Sequence, residues 1–155
     1  MLDESEFQNV SQAGQTWRYH DAGQGRPVVL IHGFPDTPGS YGNIARTLNR
    51  AGYRTIVPYL RGYHPDTLVP GRPYDLLRIA EDAVGLLEAL DLQSAALVGH
   101  DWGATVVYGA AALAPGRVGG IVPLAIPHPS TLKPKNALQL LGVLVLSRHF
   151  VSVQL

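Results

Sequence analysis

Three short strand-like runs limit the folds open to this chain. They are PVVLI at 27–31, RTIV at 54–57 and SAALV at 94–98, and a stretch with helical spacing separates each run from the next. A short apolar run that does not alternate with polar residues suits a strand covered on both faces. Strands that alternate with helices pair in parallel through crossover connections. The runs therefore predict an α/β fold: a mostly parallel sheet with helices on both faces.

The segments between the runs agree. Ser40 is placed to cap a helix reaching about Arg50, with Ile44, Ala45 and Leu48 on one face and Gly52 ending it. Residues 75–90 give the clearest helical pattern. Leu76, Ile79, Ala80, Ala83, Val84, Leu87 and Leu90 share one face, and Arg78, Glu81, Asp82 and Glu88 read as the wet face. An Ala-rich helix is predicted over 102–113, stopping near Pro115 and Gly116. TWRYH at 16–20 reads as a short strand, and VGGIVPLAI at 118–126 as a further one. Pro123 cannot donate to a strand ladder, which favours the sheet edge for that last strand. Residues 58–74 form a long loop with four prolines and two glycines.

Composition narrows the function classes. The 155 residues hold twelve basic and twelve acidic side chains, so charge gives no case for nucleic acid or an anionic membrane. The absence of Cys removes disulfides, thiolate zinc sites and a Cys nucleophile. The acidic start, MLDESEF, does not read as a secretory signal, and the apolar stretch at 138–146 is too short to span a bilayer. A cytoplasmic protein without membrane or nucleic-acid partners is expected.

In open α/β sheets, ligands sit at the carboxyl ends of the strands. Two loops there carry unusual chemistry. In VGHDWGA (98–104), Gly99 and Gly103 flank Asp101 at minus two and plus two. A sharp strand-to-helix turn brings the backbone close to itself at those places and lifts the central side chain above the sheet edge. The plain alternative is a helix N-cap, with Asp101 accepting backbone N–H bonds. As a nucleophile, an aspartate is already ionised at neutral pH, since its ordinary pKa is about 3.9. It suits displacement at a saturated carbon, which leaves an ester whose carbonyl belongs to the protein. Water must then attack that carbonyl. The N–H groups of Trp102 and of Phe34, in the earlier loop, are placed to stabilise the oxyanion.

Taken together, His32-Gly33-Phe34-Pro35, Arg61-Gly62-Tyr63 and Gly99-His100-Asp101-Trp102-Gly103 resemble the α/β-hydrolase fold family, in its epoxide hydrolase-like branch. Pro127-His128-Pro129 resembles the point where that branch leaves its core for a cap, and the resemblance covers residues 16–130. It implies Asp101 as nucleophile and Phe34 and Trp102 N–H groups as the oxyanion hole. His32, Gly33, Pro35 and the Trp102 side chain would line the pocket of a small apolar substrate such as an epoxide. It implies no cofactor, and the six histidines show no metal-like spacing. Haloalkane dehalogenases share the Asp-Trp-Gly turn and stand as an alternative. Many of them carry Asn where this chain has Phe34, which lacks the amide that holds a halide.

The chain departs from the family pattern late. The family's general base is a His after the last strand of an eight-stranded sheet, and its acid partner lies a little earlier. This sequence stops at Leu155, just past the sixth strand of that plan. Residues 1–130 are therefore expected to be the N-terminal part of the core and 131–155 the start of a cap, with 138–146 its first helix. Lacking the base and the cap tyrosines, such a chain would be a catalytically incomplete fragment that captures substrate without turnover. An uncovered edge at 118–126 would favour self-association. No other histidine offers itself as the base. His32 belongs to the oxyanion loop, His100 should point away, His64 lies in the Pro-rich loop and His128 in the hinge, while His20 and His149 read as solvated. Asp36 and Asp66 read as loop acids engaged in turn hydrogen bonds.

Overall fold

The computed structural model describes residues 2–71 and 74–132. Its elements are β1 (Phe7–Gln12), β2 (Gln15–Ala22), β3 (Arg26–Ile31), α1 (Gly42–Arg50), β4 (Tyr53–Pro58), α2 (Leu76–Ala89), β5 (Ala95–His100), α3 (Trp102–Leu113) and β6 (Val118–Leu124). The six strands form one sheet in the order β1-β2-β4-β3-β5-β6. The four strands β4, β3, β5 and β6 run parallel, and β1 and β2 add antiparallel at one edge. The cap helix expected at 138–146 lies outside the described residues.

The central strands show why their sequences lack alternation. In β3, Val29 and Ile31 join Ile56, Leu97, Ile79, Leu86, Leu87, Val106 and Val107 in the core beneath α2 and α3. Val28 and Leu30 face the opposite way, with Val57, Tyr41 and Ala45 of the α1 side. Both faces of the sheet are thus covered, and Val28, Val29, Leu30 and Ile31 are all buried, in keeping with period-two geometry. β6 lies at the sheet edge, as Pro123 suggested, with Val122 and Leu124 largely exposed.

Several local expectations need correction. β1 escaped the sequence pattern because its residues, FQNVSQ, are mostly polar and lie at an edge. It is joined to β2 through Ala13 and Gly14, both at positive φ, the conformation of a tight hairpin. Ser40 does not cap α1. It sits within a 3₁₀ turn, Pro38–Tyr41, its hydroxyl donates to Thr37 O at 3.0 Å, and the helix begins at Gly42. α2 is capped by Asp75, which accepts the Arg78 N–H at 2.9 Å. Leu76, assigned to the apolar face of α2, is 40% exposed, because the first turn of the helix overhangs the core.

Asp82 is the largest departure. It stands between Ile79 and Leu86 at a helical interval and turns inward with them. Arg61 Nε and Nη2 donate to its two carboxylate oxygens at 2.7 and 2.5 Å, with both side chains largely buried. Trp17 donates its indole N–H to Asp82 O at 2.9 Å, tying β2 to the same helix turn. Bidentate geometry and low exposure set this pair apart from a surface ion pair, which water screens and leaves free to move. Among the described residues, no helix is long and apolar enough to cross a membrane.

Arg61→Met should lower stability by about 3–5 kcal/mol in urea unfolding, since it removes one half of a buried ion pair. Adding Asp82→Leu should restore much of that loss; a double variant as weak as the single one would show that the pair is not the source.

Candidate active site

The turn between β5 and α3 contains a single residue, Asp101. Its backbone is held at φ 53 and ψ −118, a conformation that side-chain-bearing residues rarely adopt. Strain of this kind costs on the order of 1–3 kcal/mol and persists only where the surroundings enforce it. Here the Asp101 N–H donates to Leu124 O at 3.2 Å and its carbonyl accepts the Ala104 N–H at 2.9 Å. The flanking glycines allow the approach. A Cβ on Gly99 would come within 2.1 Å of Gly103 O, and one on Gly103 within 2.1 Å of Ile31 O.

Asp101 occupies the N-cap position of α3, yet its side chain makes no capping hydrogen bond. The plain reading of the turn as a helix cap is therefore wrong. The carboxylate reaches across to the other loop instead, where Oδ1 accepts the Phe34 N–H at 3.1 Å. The Phe34 ring is 45% exposed and lies 6.0 Å from the half-buried Trp102 ring. Phe34–Pro35 is a cis peptide bond, and Pro35 is exposed beside it. Asp101, Phe34, Pro35 and Trp102 thus meet at the carboxyl ends of β3 and β5.

Comparisons with known proteins identify the fold family. The alpha/beta hydrolase fold family model matches residues 26–143. The chain belongs to the α/β-hydrolase fold family. An epoxide hydrolase of Caballeronia sordidicola is 37% identical over 120 residues, covering 77% of this chain and 36% of that protein. Epoxide hydrolase A of Mycobacterium tuberculosis is 38% identical over 124 residues, covering 76% of this chain and 38% of its own length. Among solved structures, an epoxide hydrolase from Vigna radiata superposes with a TM-score of 0.74 at 30% identity, over 90% of this chain and 47% of that one. The chain therefore spans less than half the length of the curated relatives it matches.

Within this α/β-hydrolase sheet, His32 does not line a pocket. None of its surface is exposed, so it lies beneath the site and cannot touch a ligand there. Its Nδ1 is 3.0 Å from Gly33 O and its Nε2 is 3.1 Å from Leu60 N. Tyr63 meets the ring edge-on at 4.8 Å. Gly33 is likewise buried. The loop after β4 is thus part of the site's foundation, which helical or strand spacing gives no means of finding. Tyr63 also senses Asp101: its hydroxyl is pushed up from the usual tyrosine value first by burial and then by the aspartate charge.

The remaining histidines and acids serve local structure. His64 Nδ1 accepts the Asp66 N–H at 3.1 Å and caps the 3₁₀ turn Pro65–Thr67. His20 is buried rather than solvated, with Nε2 3.3 Å from Glu6 Oε2. His128 Nδ1 is 2.7 Å from Ser130 Oγ, while His100 is exposed. Asp36 accepts the Thr37 N–H at 2.7 Å, and Asp66 accepts from Asn9 Nδ2 at 2.9 Å. Among the described residues, no three His, Cys, Asp or Glu side chains gather to hold a metal ion. His149 lies outside the described residues.

Burial pushes the His32 ring below its ordinary value of 6.5, against smaller opposing effects of the Gly33 carbonyl and the Asp36 charge. The unfolded chain therefore takes up the proton first as pH falls. This contribution to stability is complete above about pH 6.5 and is lost as pH falls from there to the folded-state value. Urea midpoints measured from about pH 7.5 down to about pH 5 should fall, and should fall less in His32→Asn.

Proposed function

We propose that this α/β-hydrolase chain carries the nucleophilic half of an epoxide hydrolase active site. One observation carries the reading: a strained aspartate at a helix N-cap leaves the helix uncapped and accepts an N–H from a second loop. In the proposed cycle a carboxylate oxygen of Asp101 attacks a ring carbon of a small apolar epoxide. The carbon–oxygen bond of the ring breaks, and the ring oxygen takes the electron pair and then a proton. The Asp101 alkyl ester that results is hydrolysed by water at the Asp101 carbonyl carbon, releasing a diol and restoring the carboxylate.

The hydrogen bond already present supports an assignment of the two oxygens. Oδ1, held by Phe34 N–H, suits the oxygen that becomes the ester carbonyl and then the oxyanion. Oδ2 is then the attacking atom. The Trp102 N–H, next in sequence at the start of α3, is proposed as the second donor of an oxyanion hole. Donors set in place before reaction stabilise developing charge without reorganisation, and loss of one such donor typically costs about 100- to 1,000-fold in rate. The exposed Phe34 and Pro35 and the Trp102 ring supply apolar surface beside the nucleophile. Water attack also needs a general base. Among the described residues no histidine is hydrogen-bonded to Asp101, so the reading assigns that role to groups beyond them.

The proposed partners are a small epoxide and, at the β6 edge, a second copy of the chain. That edge exposes Val122 and Leu124, and unpaired strand edges with apolar side chains favour association.

An isotope-labelled reactive epoxide, incubated with the chain and followed by acid trapping and digestion, should label the peptide that carries Asp101. Asp101→Ala should abolish that label; consistent labelling of any other residue would overturn the assignment. In sedimentation velocity, self-association should weaken in Val122→Lys, and a compact monomer at all loading concentrations would contradict the edge contact.

A further inference from the structure

We propose that His32 is a positioning residue: it aims the Phe34 N–H at Asp101 by fixing the Gly33–Phe34 peptide, and it does so only as the neutral ring with its proton on Nδ1. The inference rests on the reading of Asp101 and Phe34 given above and adds the device that orients them.

The tautomer follows from the partners. Leu60 N–H can only donate, so His32 Nε2, 3.1 Å away, must be the acceptor. Gly33 O can only accept, so Nδ1, 3.0 Å away, must carry the proton. The two bonds demand the same form of the ring. They are made where no surface of the side chain is exposed, so water cannot replace either of them.

The consequence for Asp101 comes from the planarity of the peptide. In a trans unit the carbonyl oxygen and the N–H point in opposite directions. Gly33 O is held on one side by the His32 ring and by the Asp36 N–H at 3.1 Å. The N–H of the same unit, that of Phe34, must then leave on the other side, where Asp101 Oδ1 lies 3.1 Å away. Turning this peptide over would set a carbonyl against the carboxylate and leave the His32 N–H buried without its acceptor.

The ring itself has little room to turn. Tyr63 packs edge-on at 4.8 Å and Tyr59 at 6.4 Å, both from the loop after β4. The titratable groups around it are Asp36 on its own loop, Tyr59 and Tyr63 opposite, and Asp101 on the β5–α3 turn. A second proton, on Nε2, would meet the Leu60 N–H head-on and break the bond that ties the oxyanion loop to the loop after β4. The geometry therefore joins three loops through one neutral imidazole.

Nitrogen-15 NMR of the labelled chain tests this directly. Near neutral pH the His32 ring should show the neutral Nδ1-protonated pattern, and the Phe34 amide proton should lie downfield of its position in Asp101→Ala. His32→Asn, whose amide can donate from about the place of Nδ1, should keep the Phe34 shift. His32→Gln, which replaces the Nε2 acceptor instead, should move it toward the Asp101→Ala position. An Nε2-protonated or charged ring near neutral pH, or a Phe34 amide unmoved in His32→Gln, overturns the proposal. If the variants do not fold, the wild-type ring pattern still decides, and on acidification ring and Phe34 amide should shift with one midpoint; separate midpoints would also overturn it. Ester trapping on Asp101 is independent of these signals. A correct tautomer without an ester would refute the proposed reaction and leave the positioning role standing.

Discussion

Much of this structure depends on how closely the start of α3 approaches the ends of β3 and β5. That approach is closer than any side chain at Gly99 or Gly103 would permit. It forces one residue between strand and helix into left-handed backbone geometry, and that residue is Asp101. The same closeness brings the β3 loop within hydrogen-bonding distance of the aspartate. A carboxylate that would otherwise satisfy the first turn of its own helix is thereby turned outward and held by a different loop. The strain is local, but the packing of three elements enforces it.

The supports beneath the site form a second layer. Arg61 and Asp82 lock the loop after β4 onto α2, and two residues further along that loop Tyr63 packs on His32. His32 in turn bridges to Leu60 and to the peptide that carries the Phe34 N–H. A buried ion pair is weak evidence of net stability, but removing one partner is costly, so such a pair keeps its loop in one place. Polar groups buried here act through geometry: each one limits where the next can be.

The parts of the fold legible in the sequence were those with a periodic cause. β3 announced itself because both its faces are buried, β5 because one face is buried and the other half-covered, and α3 because it follows a Gly-flanked turn and is rich in alanine. The turn around Asp101 could be read because the close approach demands glycine at fixed spacing. β1 could not be read from hydrophobicity, since an edge strand need bury almost nothing. Asp82 was assigned to solvent by its charge, although its interval from Ile79 and Leu86 placed it inward. Leu76 shows the reverse case, an apolar residue at a helix end that has no core beneath it. His32 was read correctly as part of the loop and wrongly as part of its surface, because sequence adjacency does not tell which side of a loop a ring occupies. Its partner Leu60 donates through the backbone, so no residue type signals that contact.

The two edges of the sheet differ in kind. β1 presents Gln, Asn and Ser and is fixed by a tight hairpin, whereas β6 presents Val122 and Leu124 on either side of Pro123. The sheet therefore has a direction. Among the described residues its β1 edge carries polar side chains and its β6 edge apolar ones, and Pro123 offers no backbone donor on that strand. A strand laid along β6 would meet one position without a donor, so only some registers would keep its ladder whole.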